Sequence, residues 1–473
     1  MIFSLKPTRI ALLAALLTLG LILCLMTACD GGSTPADTTT ADTTASTEAP
    51  TDPVTEAPTE ETTTEEITSE EVTEAETELK GWEQDTGKFN DGKVDYVKTE
   101  DGVTATPREG YELGLDITDK VDVVGICYSV WFDYILGQSG GSVENWNNIT
   151  EVLEGKRDWG GVPSFHYWAK PALGYYCSSN TTVIRTHMTQ LYTAGVDFII
   201  LDHTNLHNGY LDNADLKNRM IDAPMTALFD TIMEMRAEGL GTPYVVVWCG
   251  DNDGRMYRYL YDSYYNVEKW ADCFVYWDEK PFLLTTHTRP ESFPLKDENL
   301  FTVRSMWGLG VDFAGGQWSY LNPAINNCVT YAADGTPEHI GVSTAAQKSY
   351  MGIGTASSMG PGDAVGRREG KTWYIQWYYA FQVRPKIVTL TWWNEWTAQR
   401  LDIGNGRYAF TDNFNADYSR DIEPMEGGHG DQYYKWMIEY ISAYKGHLEC
   451  PILVEEGEEA NAISMRKRTF KER

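Results

Sequence analysis

The sequence predicts an α/β protein built on a (β/α)8 TIM barrel. Three observations lead there. Short apolar runs recur along residues 119–450, and amphipathic helices separate several of them. Polar and aromatic residues collect where those runs end, which is where barrel enzymes keep their chemistry. The last run, 387–391, stops on Trp392-Trp393-Asn394-Glu395-Trp396, a carboxylate among three indoles.

The elements follow in order. Residues 121–128 read as the first strand and 162–168 as the second. Residues 198–202 (Phe-Ile-Ile-Leu-Asp) are the third, after a helix at 182–194. Residues 244–250 are the fourth, after a helix at 224–238. The fifth, sixth and seventh are expected at 281–285, 300–306 and 339–345. A helix at 373–382 leads into the eighth at 387–391.

Outside the barrel the composition changes. Residues 1–28 form a targeting segment, with Lys6 and Arg9 ahead of an apolar stretch at 10–26. It resembles a bacterial lipoprotein signal, which implies Cys29 as the lipidated first residue of the mature chain. Residues 29–80 are rich in Thr and Glu. Residues 30–79 hold 15 acidic side chains and no basic one. No core forms from such a segment, so we expect an extended acidic stalk. It carries about half of the net charge of −31. The acidity therefore says little about a substrate, beyond arguing against nucleic acid. Residues 81–118 read as irregular chain and 451–473 as a charged tail. The expected protein is monomeric, touches the membrane only through its lipid, and faces outward from the cell.

Indoles stack on the C–H faces of sugars and dry their surroundings, which raises a nearby glutamate's pKa. Glu395 is therefore the first catalytic candidate, with Asp202 at the end of an apolar strand as its partner. Candidates for substrate binding are His166, Tyr167, Trp168, His203, Trp248, Asp251, Asp278, Arg304, Trp393, Asn394, Trp396 and Glu423. Some carry plainer readings. Asp202 and Asp251 suit N-caps or turns, and His166 suits a satisfied core histidine. Trp396 is expected to be a sugar platform, with one of Trp392 and Trp393 used for packing. Asp251-Asn252-Asp253-Gly254 lacks the remaining ligands of a calcium loop and reads as a turn. No zinc spacing, phosphate loop or serine elbow is present, and no cofactor is expected. The cysteines beyond Cys29 read mostly as free, buried thiols.

Several stretches together resemble the superfamily of glycoside hydrolase families 71 and 99. They are Pro171-Ala-Leu-Gly174-Tyr175-Tyr176, Ser178-Ser-Asn180, Val183-Ile-Arg185-Thr-His187 and Ala194-Gly195-Val196-Asp197. Asn394-Glu395-Trp396 and Ile422-Glu423-Pro424 complete the set. The resemblance implies a (β/α)8 barrel, a polysaccharide or oligosaccharide substrate, and Glu395 in the catalytic loop. In family 99 a second glutamate follows three residues later; here that position is Ala398. About 25 residues also separate the triplet from Glu423. The partner of Glu395 must come from another strand. A glycan-binding protein without activity is the alternative.

Overall fold

The computed structural model describes residues 92–138, 147–162, 164–250, 253–287, 290–308, 316–323, 328–455 and 468–471. The signal segment, Cys29, the stalk and most of the tail lie outside the described residues, as does Asp251.

The main element is a parallel sheet of eight strands. They are β1 (Val123–Ser129), β2 (Phe198–His203), β3 (Tyr244–Cys249), β4 (Lys280–Thr285), β5 (Thr302–Gly308), β6 (Trp318–Ser319), β7 (Pro337–Ser343) and β8 (Ile387–Thr391). The ladder runs β6-β5-β4-β3-β2-β1-β8-β7. Every residue of β1, β2 and β8 is buried, as in a parallel sheet covered on both faces. No backbone ladder joins β6 to β7. There the Gly341 amide donates to Ser319 Oγ at 2.8 Å. A Cβ on Gly341 would stand 2.8 Å from the Ser319 carbonyl, so only glycine permits the approach.

One face of the sheet carries a buried cluster that includes Cys127, Phe198, Ile200, Val246, Trp248, Phe282, Leu284, Trp318 and Trp392. The other side carries the helices α1 (Thr181–Thr193), α2 (Ala223–Ala237), α3 (Lys371–Val383) and α4 (Gln432–Lys445). Asn180 caps α1 by accepting from the amides of Thr182 and Val183. α3 and α4 interlock through aromatic rings: Trp373 meets Tyr433 and Tyr440 edge-on at 5.9 and 6.0 Å.

Two sequence expectations are corrected here. Residues 162–168 do not supply a strand of the parallel sheet. Ser164–Tyr167 instead pairs antiparallel with Thr397–Gly404, in a separate six-stranded sheet. The parallel set is completed by Trp318–Ser319, too short to stand out in sequence. Residues 92–118, the described part of the stretch expected to be irregular, are also more regular than expected. Val94–Thr99 and Gly102–Pro107 form an antiparallel hairpin, tied down by Tyr96 Oη donating to Asp272 at 2.6 Å. Among the described residues Cys127, Cys249, Cys273, Cys328 and Cys450 are buried free thiols, and Cys177 is half-buried.

Candidate active site

The chain leaves β8 through a loop held on two sides. Asn394 grips Ser129 at the end of β1: its Oδ1 accepts from the Ser129 amide at 2.8 Å and its Nδ2 donates to the carbonyl at 3.1 Å. The Trp392 indole donates to Ser129 Oγ at 2.8 Å. From the other side, segment 420–423 lies along the loop. The Trp392 amide donates to the Arg420 carbonyl at 2.6 Å, and the Trp393 carbonyl accepts from the amides of Ile422 and Glu423. Asn413 donates to the carbonyls of Glu395 and Thr397 and accepts from the Arg420 amide. Glu395 is thus placed by backbone bonds rather than by its own side chain.

Its carboxylate meets a guanidinium. Arg420 Nε donates to Glu395 Oε2 at 2.5 Å, and Nη2 reaches the same oxygen. Nη2 also donates to Asp412 Oδ1 at 2.7 Å, and Nη1 to Tyr320 Oη at 2.5 Å. The guanidinium lies 4.1 Å from the Trp392 ring centre. Burial raises the pKa of Glu395 well above the usual carboxylate range; Arg420 opposes this, and Asp412 and Asp202 add to it. Asp202 is raised by burial too, against two bonds from Thr204, the Arg420 charge and the Trp131 indole. Asp412 is raised by burial and by Asp202, with Arg420 opposing. Three carboxylates near one guanidinium cannot all ionise cheaply in a dry site, so burial favours their acid forms while Arg420 opposes this. Such an arrangement sets a candidate acid beside a fixed positive charge.

The surrounding rings form a graded wall. Trp248 is fully buried, 4.9 Å from Tyr320 and 6.1 Å from Trp392. Trp307 stacks on Tyr320 at 5.7 Å and 18° and is 38% exposed. It is the ring of this group that faces solvent.

The structure brings Glu395, Asp202, Trp248 and Asn394 to one end of the strands and sends the other candidates elsewhere. His203 follows Asp202 on β2 and points to the opposite face, because side chains alternate along a strand. Burial there pushes its pKa down to about 3. His166 and Tyr167 lie in the antiparallel sheet. Both His166 ring nitrogens face carbonyls, of Ser164 and Trp159, which is the core reading. Tyr167 packs on Tyr175 at 5.3 Å. Trp168 donates to Asp421 Oδ1 at 3.2 Å, beside His429. Trp393 is packing, against His187 and Tyr434. The platform expected at Trp396 is not available: the ring is fully buried and stacked flat on Phe132 at 4.5 Å. Glu423 accepts from Tyr176 Oη at 2.7 Å and meets His187 Nε2 at 2.9 Å, a buried network behind the loop. Asp278 and Arg304 sit at the N-terminal ends of the strands. Asp278 is an exposed turn residue before β4. Arg304 forks onto Glu338 at 2.8 and 2.9 Å and stacks on Trp277.

Sequence reasoning gave no role to Asp412, Tyr320 or Arg420. Nothing in their spacing marks them, since they arrive from long connections after β6 and β8.

No family model and no curated protein sequence matches the chain. Among solved structures it is similar to the GH99 endo-alpha-mannosidase from Bacteroides thetaiotaomicron, with 13% identity and a TM-score of 0.40, over 69% of this chain and 98% of that one. A structure described as a glycoside hydrolase-like protein has 12% identity and a TM-score of 0.40, over 71% and 97%.

Proposed function

We propose that this protein is a glycoside hydrolase acting on a polysaccharide or oligosaccharide, with Glu395 as its acid. We further propose that the parallel sheet is that of a (β/α)8 barrel. The observation that carries the functional reading is Glu395 itself. It is buried at the C-terminal end of parallel strands, with its pKa raised, bound to Arg420, and it has two further carboxylates in electrostatic reach. Protonated Glu395 gives its proton to the departing glycosidic oxygen as the C–O bond breaks. A second carboxylate supports the positive charge at the anomeric carbon. Water supplies the oxygen of the new hydroxyl. Trp307, stacked on Tyr320, offers the sugar an aromatic face on the side of the Arg420 cluster. The signal segment and acidic stalk support an outward-facing, lipid-anchored location through Cys29.

The second reading is a glycan-binding protein without turnover. Ala398 favours it: the position where the resemblance implies a second glutamate is a buried strand residue paired with His166. The two readings separate on a panel of defined oligosaccharides. The hydrolase reading expects new reducing ends with the wild type, and binding without turnover in Glu395→Gln. Binding without turnover in both proteins makes it a binder.

A further inference from the structure

We propose that Asp412 is the carboxylate that works with Glu395 across the scissile bond, and that Arg420 sets the spacing of the two. This rests on the glycosidase reading and names the second catalytic group within it. Asp412 and Glu395 bind one and the same nitrogen, Arg420 Nη2. With charge-assisted bonds of up to about 2.9 Å, the two oxygens are no more than about 5.8 Å apart. Close-set glycosidase pairs stand about 5–5.5 Å apart, against about 6.5–9.5 Å for pairs with a water between them.

The backbone makes the same connection. Asn413, next in the chain, bonds the carbonyl of Glu395 and the amide of Arg420, so residues 395, 412 and 420 form one rigid unit. Asp412 is also the accessible member, its side chain 27% exposed against 3% for Glu395. Asp202 is occupied differently. Its Oδ1 takes the Thr204 amide at 3.0 Å and the Thr204 hydroxyl at 2.8 Å, closing the turn after β2.

The groups facing the pair are Arg420, Asp202, Tyr320 and Cys127. Asp412, the more exposed of the two, is the group presented to the anomeric carbon. Glu395 spends Oε2 on Arg420 and carries its proton on Oε1. Asp412 forms a bond to the anomeric carbon as the glycosidic C–O bond breaks and the Glu395 proton passes to the leaving oxygen. Water then adds at the anomeric carbon, gives a proton to Glu395, and releases Asp412.

The test uses whichever panel oligosaccharide the wild type cleaves fastest, with each variant checked for folding by circular dichroism. Asp412→Asn is expected to lose about 10²–10⁴-fold in kcat, and Asp202→Asn to lose less than Asp412→Asn does. In Asp412→Ala, sodium azide is expected to restore part of the turnover and to appear in the product as a glycosyl azide. Turnover of Asp412→Asn within tenfold of wild type overturns the assignment and leaves the glycosidase reading standing. So does loss in Asp202→Asn alone, or turnover in Asp412→Ala that azide leaves unchanged. A wild type that cleaves nothing overturns both.

Discussion

Asp202 and His203 are neighbours in the chain and face opposite sides of β2. That alternation is legible in sequence once the strand is fixed, and it places one of the two with Glu395 and the other among the helices. The charge on Asp202 carries a testable cost. Its folded pKa is raised above the ordinary 3.8. The stabilisation from its protonated form is present below that value and lost as pH rises through the folded pKa. Asp202→Asn mimics the protonated form. Its unfolding free energy should match wild type near pH 4 and exceed it at pH 8. A variant less stable at pH 8 than at pH 4, relative to wild type, contradicts the raised pKa. The indoles divide just as sharply. Trp396→Ala should cost about 3–5 kcal/mol in denaturant unfolding, because the ring is fully buried against Phe132. Trp307→Ala should leave stability within about 1 kcal/mol and weaken oligosaccharide binding. Equal stability losses in the two variants would remove the distinction between packing ring and platform. Composition announces many tryptophans; only burial says which of them a sugar can touch.

At the scale of elements, the segment 420–423 does more than its length suggests. Its carbonyl and amides hold the loop after β8, Arg420 enters the carboxylate cluster, and Glu423 anchors behind the loop on His187 and Tyr176. Glu423→Ala strips the acceptor from two buried donors and should destabilise by about 1–3 kcal/mol for each donor left unpaired, with kcat falling through misplacement of Glu395. An unchanged melting curve would show the network to be dispensable. The strands β1 to β4, β7 and β8 were legible because each is a short run with apolar residues at its buried centre. The second predicted strand failed for a physical reason: Phe165, His166 and Tyr167 alternate as any half-buried strand does, and nothing local says which sheet receives it. β6 has two residues and no pattern to read. Asp412 and Tyr320 reach the site from connecting segments, where position follows from tertiary bonds such as those of Asn413 and not from periodicity.

For the whole molecule, the acidic segment and the folded region are separate problems. Residues 30–80 carry no large apolar cluster, and the apolar stretch at 10–26 belongs to the expected targeting segment, so deleting 1–80 should leave a soluble domain whose melting temperature stays within about 3 °C of the full chain. A larger fall would give the stalk a structural role. Membrane fractionation of Cys29→Ser against wild type checks the proposed anchor, with release of the variant as the expected result. The central claim is that Glu395 sits at the scissile bond. The most direct measurement is a crystal structure of Glu395→Gln with the oligosaccharide that binds it best. The account predicts a glycosidic oxygen within about 3.2 Å of the residue 395 side chain, Asp412 facing the anomeric carbon, and a sugar ring on Trp307. A ligand bound elsewhere, with the Arg420 cluster untouched, would contradict it.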